Sequence, residues 1–410
     1  MIFRQTCFRR LSFLILPTLV SCGVETADEN DFGSDVSFLK KHSDVVVLAD
    51  ETGRTKIAVS PAMQGRVMTS TAGGDGGMSY GWINYELIQS GENNPHINAF
   101  GGEERLWFGP EGGQYSVFFA KGDPFDLEHW YTPKAVNEEP FEVVEQTKDS
   151  LRFVKEITLR NTSETDFQLR VDRQVRLLDR QQVQSLFGVT IEEGVSMVAY
   201  QTRNRVTNTG SHAWQRQTGL LSIWILCMLK PSAENTIVIP FRAGDAAALG
   251  PIVNDAYFGK VPADRLIVEE SVLFFRGDGA YRSKIGLTYR RCRSVCGSYD
   301  ARNGVLTLMH FNKPSQPMDY VNSMWEIQAD PYAGDVVNSY NDGPPEPGVP
   351  PMGPFYELES SSPALALAPH ASYRHDHCIV HVQGSEAALD PIARQTLGVG
   401  IAEIKGKFGQ

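Results

Sequence analysis

Long apolar runs, basic clusters and helical periodicity are scarce in this 410-residue sequence. Each scarcity removes a class of protein. Beyond the N-terminus, no segment approaches the roughly 18 apolar residues of a membrane-spanning helix. Lys and Arg number 38 against 49 Asp and Glu, a net charge of −11, and they form no basic blocks. That is the wrong footprint for phosphate backbones, so nucleic acid is set aside as a partner. Spacing of 3.6 residues is confined to short stretches near 246–256 and 386–395. No repeat of about 20–50 residues recurs. A phosphate-cradling P-loop, an HExxH zinc signature and a GxGxxG turn after a strand are all absent, so neither metal nor cofactor is expected.

Cysteine is sparse too, with six residues. Cys7 falls in a leader-like segment. There Arg4, Arg9 and Arg10 precede the apolar run Leu11–Val20. About ten residues are too few to cross a bilayer but suit the apolar core of a signal peptide. The run ends Leu19-Val20-Ser21-Cys22, which resembles the lipobox of bacterial lipoproteins. The expectation is a signal peptide over 1–21 and a lipidated Cys22 anchoring the chain to the bacterial cell envelope, facing periplasm or surface. An ordinary signal peptide with a chance cysteine is the alternative. Residues 22–44 then read as the lipidated cysteine and an acidic tether, polar and with little to bury. Cys292 and Cys296 could pair as a disulfide in an oxidising compartment. Cys227 and Cys378 sit in apolar runs and read as buried thiols.

From Val45 to about Phe408 the chain reads as strands. Short runs rich in Val, Ile, Phe and Thr, such as Leu151–Ile157, Phe167–Asp172, Leu221–Leu226 and Val305–Met309, recur between Gly, Asn and Asp. Many strands without long helices between them predict packed antiparallel sheets: an all-β, single-domain sandwich over 45–408. The proline-rich stretch 342–354 cannot donate into a ladder and predicts an exposed loop.

Chemistry-bearing residues gather in the turns. The densest cluster is 93–113, which holds His96, Glu104, Arg105, Trp107 and Glu111 among five glycines. Charged groups beside Trp are what a sugar site needs: hydrogen bonds for hydroxyls and an aromatic face for the ring's C–H surface. The bland alternative is a structured turn with Arg105 paired to a Glu. The stretch 122–131 either lines the same cleft or caps a sheet edge. Glu357 and Glu359 share one face of a strand, since side chains alternate. Two carboxylates together suit a cleft better than a core. His375, His377 and His381 share a face as well, but they span too far for one metal ion. His310 ends its strand either as an acid or as a satisfied histidine. Trp325 reads as a stacking platform or a core residue. Asn341 and Asp342 reach into the cleft or only build the turn.

The C-terminal segment ELESSSPALALAPHASYRHDHCIVHV resembles the last two strands of aldose 1-epimerases, the galactose mutarotases. Gly101–Phe108 and Asn204–Gly210 resemble two further patches of that family. The resemblance implies a large antiparallel β-supersandwich, a carbohydrate partner (mono- or oligosaccharide), Glu359 as the general base and Arg105 as a sugar ligand. The chain departs from the pattern after Gly210, where the family's catalytic His has no match; His310 is the replacement considered. Three functions follow: a carbohydrate-active lipoprotein working as epimerase, lyase or hydrolase, a non-catalytic glycan binder, or a structural envelope lipoprotein.

Overall fold

The structure is a computed structural model that describes residues 31–409. Among the described residues, strands make up 37% and helices 13%. Strand formation follows from side-chain alternation. Along Asp166–Leu177 exposed or half-exposed residues alternate with buried ones, as on a sheet with one face to the core. Along Ser222–Leu229 every residue is buried, because both faces of that strand are covered.

Three sheets result, and their ladders are antiparallel. The largest has ten strands, in the order Leu266–Val268, Val272–Arg276, Asn235–Pro240, Val295–Asp300, Val305–Phe311, Ser372–Gln383, Ser196–Asn208, Asp166–Leu177, Ser150–Arg160 and Glu142–Gln146. A five-stranded sheet runs Ser283–Thr288, Asp335–Asn341, Tyr356–Ser361, Ser222–Leu229 and Arg105–Gly109. Val46–Ala49, Lys56–Ser60 and Arg66–Thr71 form the third.

The main core lies between the two larger sheets. It joins Phe153, Val171, Met309 and Ile379 of one to Leu106, Ile225, Leu358 and Ile285 of the other. The opposite face of the ten-stranded sheet is covered over part of its width by helices Arg180–Phe187, Glu386–Leu397 and Ile401–Gly406. Val183, Leu389 and Ile404 pack there on Leu306, Leu308 and Val380.

Two expectations need correction. The stretch read as an acidic tether is, where described, a docked helix, Phe32–His42. Asp31 caps it by accepting from Ser34 N–H at 2.8 Å. Phe32, Val36 and Leu39 lie on one face and pack against Ala58, Met68 and Ile83. Mean polarity hid that i, i+4, i+7 stripe. Cys22 and the leader lie outside the described residues. Second, Cys227, Cys292, Cys296 and Cys378 are all buried free thiols, so Cys292 and Cys296 form no disulfide. The proline-rich loop is largely exposed over 344–352. Among the described residues no helix is long and apolar enough to cross a membrane.

Candidate functional site

The outer face of the five-stranded sheet is the floor of a pocket. One register row crosses all five strands: Gly286, Asn338, Glu359, Leu226 and Arg105. The next row on the same face holds Lys284, Tyr340, Glu357 and Met228. Trp107 and Trp224 pair beside them. Alternation turns the intervening residues, such as Leu106, Ile225, Leu358 and Ile285, into the main core. Loops raise the walls: Glu111, Leu127 and Trp130 from one segment, Phe258, Trp325 and Met352 from three others. The enclosed space is about 90 Å³, room for several waters.

Four indoles surround this space. Trp107 meets Trp224 edge-on at 5.7 Å, and Trp130 stacks near Trp325 at 6.0 Å. Between them sit charges. Arg105 Nη2 donates to Glu357 Oε1 at 2.9 Å, and its guanidinium lies 4.4 Å from the centroid of Trp107. Lys284 Nζ donates to Glu359 Oε2 at 3.1 Å, and Trp224 Nε1 donates to the same oxygen at 2.9 Å. Four polar atoms here are buried without a partner: Arg105 Nε, Glu359 Oε1, Trp107 Nε1 and Trp130 Nε1. Unsatisfied buried groups are costly, and each calls for a reason such as a catalytic role, a bound water or an ion.

The electrostatics follow from burial. Desolvation pushes the Glu357 carboxyl up to about 7, Arg105 pulls it back, and neighbouring Glu359 pushes it further. Glu111 is raised by burial as well, against the opposing pull of Lys284 and a hydrogen bond from Trp325. Burial works against the Lys284 ammonium, but Glu359, Glu111 and Glu357 together hold its pKa above the usual lysine value. At the edge of the same face, Asp335 accepts from Tyr257 Oη at 2.7 Å and from Asn254 Nδ2 at 3.2 Å. Burial raises Asp335 to about 6. Position 286 must be glycine here: a Cβ would lie 2.2 Å from Asp335 Oδ2 and 2.6 Å from Asn338 Nδ2. A floor carboxyl near neutrality beside fixed cations can accept or return a proton to a bound hydroxyl. No group of three or more His, Cys, Asp or Glu suited to a metal occurs among the described residues.

The sequence-derived candidates divide. Arg105, Trp107 and Trp325 line the pocket, as does Glu357. Glu359 lies directly beneath, fully buried. Glu104 does not belong here: one residue before Arg105, it faces inward and binds Arg173 Nη2 at 2.8 Å. His310 is on the ten-stranded sheet, on the face covered by helices, edge-on to Phe187 at 5.6 Å, and burial lowers its pKa. It cannot serve as an acid to Glu359. His96 is held outside the pocket by Trp130 O at 2.7 Å and stacks on Tyr131. Asn341 braces Asp278, Tyr281 and Gly279. Asp342 accepts from Tyr340 Oη at 2.8 Å and Gly353 N–H at 2.9 Å, so it steadies a pocket wall without lining it. From the 122–131 stretch, Leu127 and Trp130 do line the pocket.

Lys284, Arg282, Trp224 and Phe258 escaped sequence reasoning. A Lys at an alternating position of Ser283-Lys-Ile-Gly-Leu287 was the available signal. Gly77-Met-Ser-Tyr-Gly81 has the spacing of a nucleophile elbow. Its Ser79, however, is buried against Asp35 and Thr69, with no histidine in the relay.

Fold and pocket together define an antiparallel β-sandwich protein with an aromatic, charge-paired pocket on its smaller sheet. Within that class the chain belongs to the DUF6786 family, described as a family of unknown function, which it matches over residues 30–408. No curated protein matches. Among solved structures it is similar to b2544 of Escherichia coli K12, named as a candidate aldose 1-epimerase. That match has 14% identity and a TM-score of 0.47 over 83% of this chain and 99% of that one. It is also similar to the Slr1438 protein of Synechocystis sp. PCC 6803 (13% identity, TM-score 0.49, 83% and 96% covered). A third is a galactose mutarotase-like protein of Lactobacillus casei ATCC 334 (11% identity, TM-score 0.44, 83% and 99% covered).

Proposed function

We propose that this chain is an envelope lipoprotein that binds a saccharide in the pocket of the smaller sheet and acts on it by proton transfer. One observation carries the reading: four tryptophans enclose a floor on which Arg105–Glu357 and Lys284–Glu359 lie side by side. Indole faces suit the C–H surface of a pyranose, and paired charges suit its hydroxyls. Glu357 is the proton carrier in this scheme, because it faces the space and its carboxyl is held near 7. Glu359 acts through Lys284 and Trp224 as a positioning residue. The likeness to mutarotase-like proteins agrees with a sugar ligand. The lipid anchor rests on Cys22 and its preceding residues alone.

The test is a saccharide panel read by tryptophan fluorescence and by product analysis. Glu357→Gln should keep most binding and lose turnover. Binding with no turnover by the wild type on any saccharide would leave a glycan-binding lipoprotein. No binding at all would end the carbohydrate reading. Cys22→Ala should move the protein from membrane to soluble or precursor fractions.

A further inference from the structure

The pocket holds three cations, and two of them are committed. Arg105 is paired to Glu357 at 2.9 Å and Lys284 to Glu359 at 3.1 Å. The third, Arg282, precedes strand Ser283–Thr288 and shares the alternation of Lys284 and Gly286, which turns it to the pocket face. Among the described residues its guanidinium has no carboxylate partner. The acids nearest in field are already engaged. Asp342 accepts from Tyr340 and Gly353. Glu111 is bonded by Trp325 and is drawn more strongly to Lys284 than to Arg282.

Arg282 is also held in place. Its guanidinium carbon lies 3.8 Å from the centroid of Phe258, which itself meets Tyr340 edge-on. Its backbone packs so closely on Gly343 that a Cβ there would lie 2.4 Å from Arg282 N. A half-exposed arginine fixed by a ring and a tight backbone, with its N–H edge free, is prepared for a planar anion.

We infer that the saccharide bound in this pocket is acidic, carrying a carboxylate or a sulfate or phosphate ester that Arg282 binds at the rim. The inference rests on the carbohydrate reading above and narrows it to anionic sugars. An uncharged sugar would leave Arg282 with water alone, whereas an acidic one completes the pairing of every cation in the lining.

The experiment compares matched pairs that differ only in the acidic group: glucuronate with glucose, galacturonate with galactose, and N-acetylglucosamine 6-sulfate with N-acetylglucosamine. Wild type should bind the acidic member of at least one pair about tenfold or more tightly, as a charge-assisted hydrogen bond gives. Which pair responds separates carboxylate from ester. The preference should shrink as salt rises. Arg282→Gln should bring the two members within about twofold of each other by losing the acidic ligand's advantage alone. Arg282→Lys should keep part of that advantage. An unchanged melting temperature for both variants excludes a folding effect. Equal affinity within every pair in wild type, or a preference that survives Arg282→Gln, overturns the inference and leaves saccharide binding standing. Absence of binding to either member of all pairs overturns both.

Discussion

Two buried Arg–Glu pairs begin one residue apart on the chain and differ in everything but length. Glu104 points into the space between the large sheets and meets Arg173 at 2.8 Å, both side chains fully sealed. Arg173 is also saturated: Asn204 Oδ1 accepts at 2.6 Å and Gly65 O at 3.0 Å. Arg105 points the other way, meets Glu357 at 2.9 Å, and leaves its Nε without a partner. Its second terminal nitrogen finds only the Met228 sulfur, at 3.1 Å. Burial alone therefore does not separate structural from functional ion pairs. Saturation separates these two: a closed set of hydrogen bonds holds two sheets together, whereas the open one leaves a donor for the proposed ligand.

The largest expected effect tests the sealed member. Arg173→Met strands the Glu104 carboxylate in the core and should lower unfolding free energy by about 3–5 kcal/mol. A denaturant midpoint close to wild type would show that the pair is dispensable. Next comes pH. The folded-state pKa of Glu357 is raised to about 7 from an ordinary 4.5, so the folded protein holds this proton more tightly than the unfolded chain. Stability from this group is present below pH 4.5 and is lost as pH rises to about 7, by up to about 3 kcal/mol. Glu357→Gln should remove that part of the slope, read as melting temperature against pH for both proteins. Parallel curves would refute the shift.

Gly286→Ala is a smaller perturbation of the same floor. The added methyl must displace Asp335 or Asn338, at a cost of about 1–3 kcal/mol. It should also weaken ligand binding more than an alanine at exposed Gly194, where nothing lies within 4 Å of the new Cβ. The smallest stability effect belongs to Arg105→Ala. Water can enter the pocket and solvate Glu357, so the loss should stay near 1 kcal/mol, while saccharide binding falls by about 1–3 kcal/mol. A stability loss rivalling that of Arg173→Met would erase the contrast between the two pairs.

The same contrast explains what could be read from sequence. Strands were legible wherever one face meets solvent, as along Phe167–Asp172, because alternation is then written in polarity. The shared face of Glu357 and Glu359 followed from that period. Trp224 was not legible, since its strand is apolar on both faces. Neighbouring Glu104 and Arg105 were assigned together, although adjacent strand residues point apart; the register that separates them is fixed only by pairing with Leu226. His310 failed for a related reason. Its strand end looked like a site, but sheet order puts it on the helix-covered face. The helix Phe32–His42 was masked by the acidic, polar sequence around it, and its own Asp35 is turned inward to Ser79 and Tyr85.

The register row from Gly286 to Arg105 also bears on how the protein matures. Arg105 and Glu357 are 252 positions apart in the chain, and Leu226 stands between Arg105 and Glu359. No short fragment contains the pocket, and no local hairpin nucleates it. Loop closure over such separations is slow. During refolding, burial of the interior tryptophans should begin before ligand responsiveness returns. During synthesis, the pocket cannot exist until the strand Tyr356–Ser361 has been made and inserted between two strands already waiting for it.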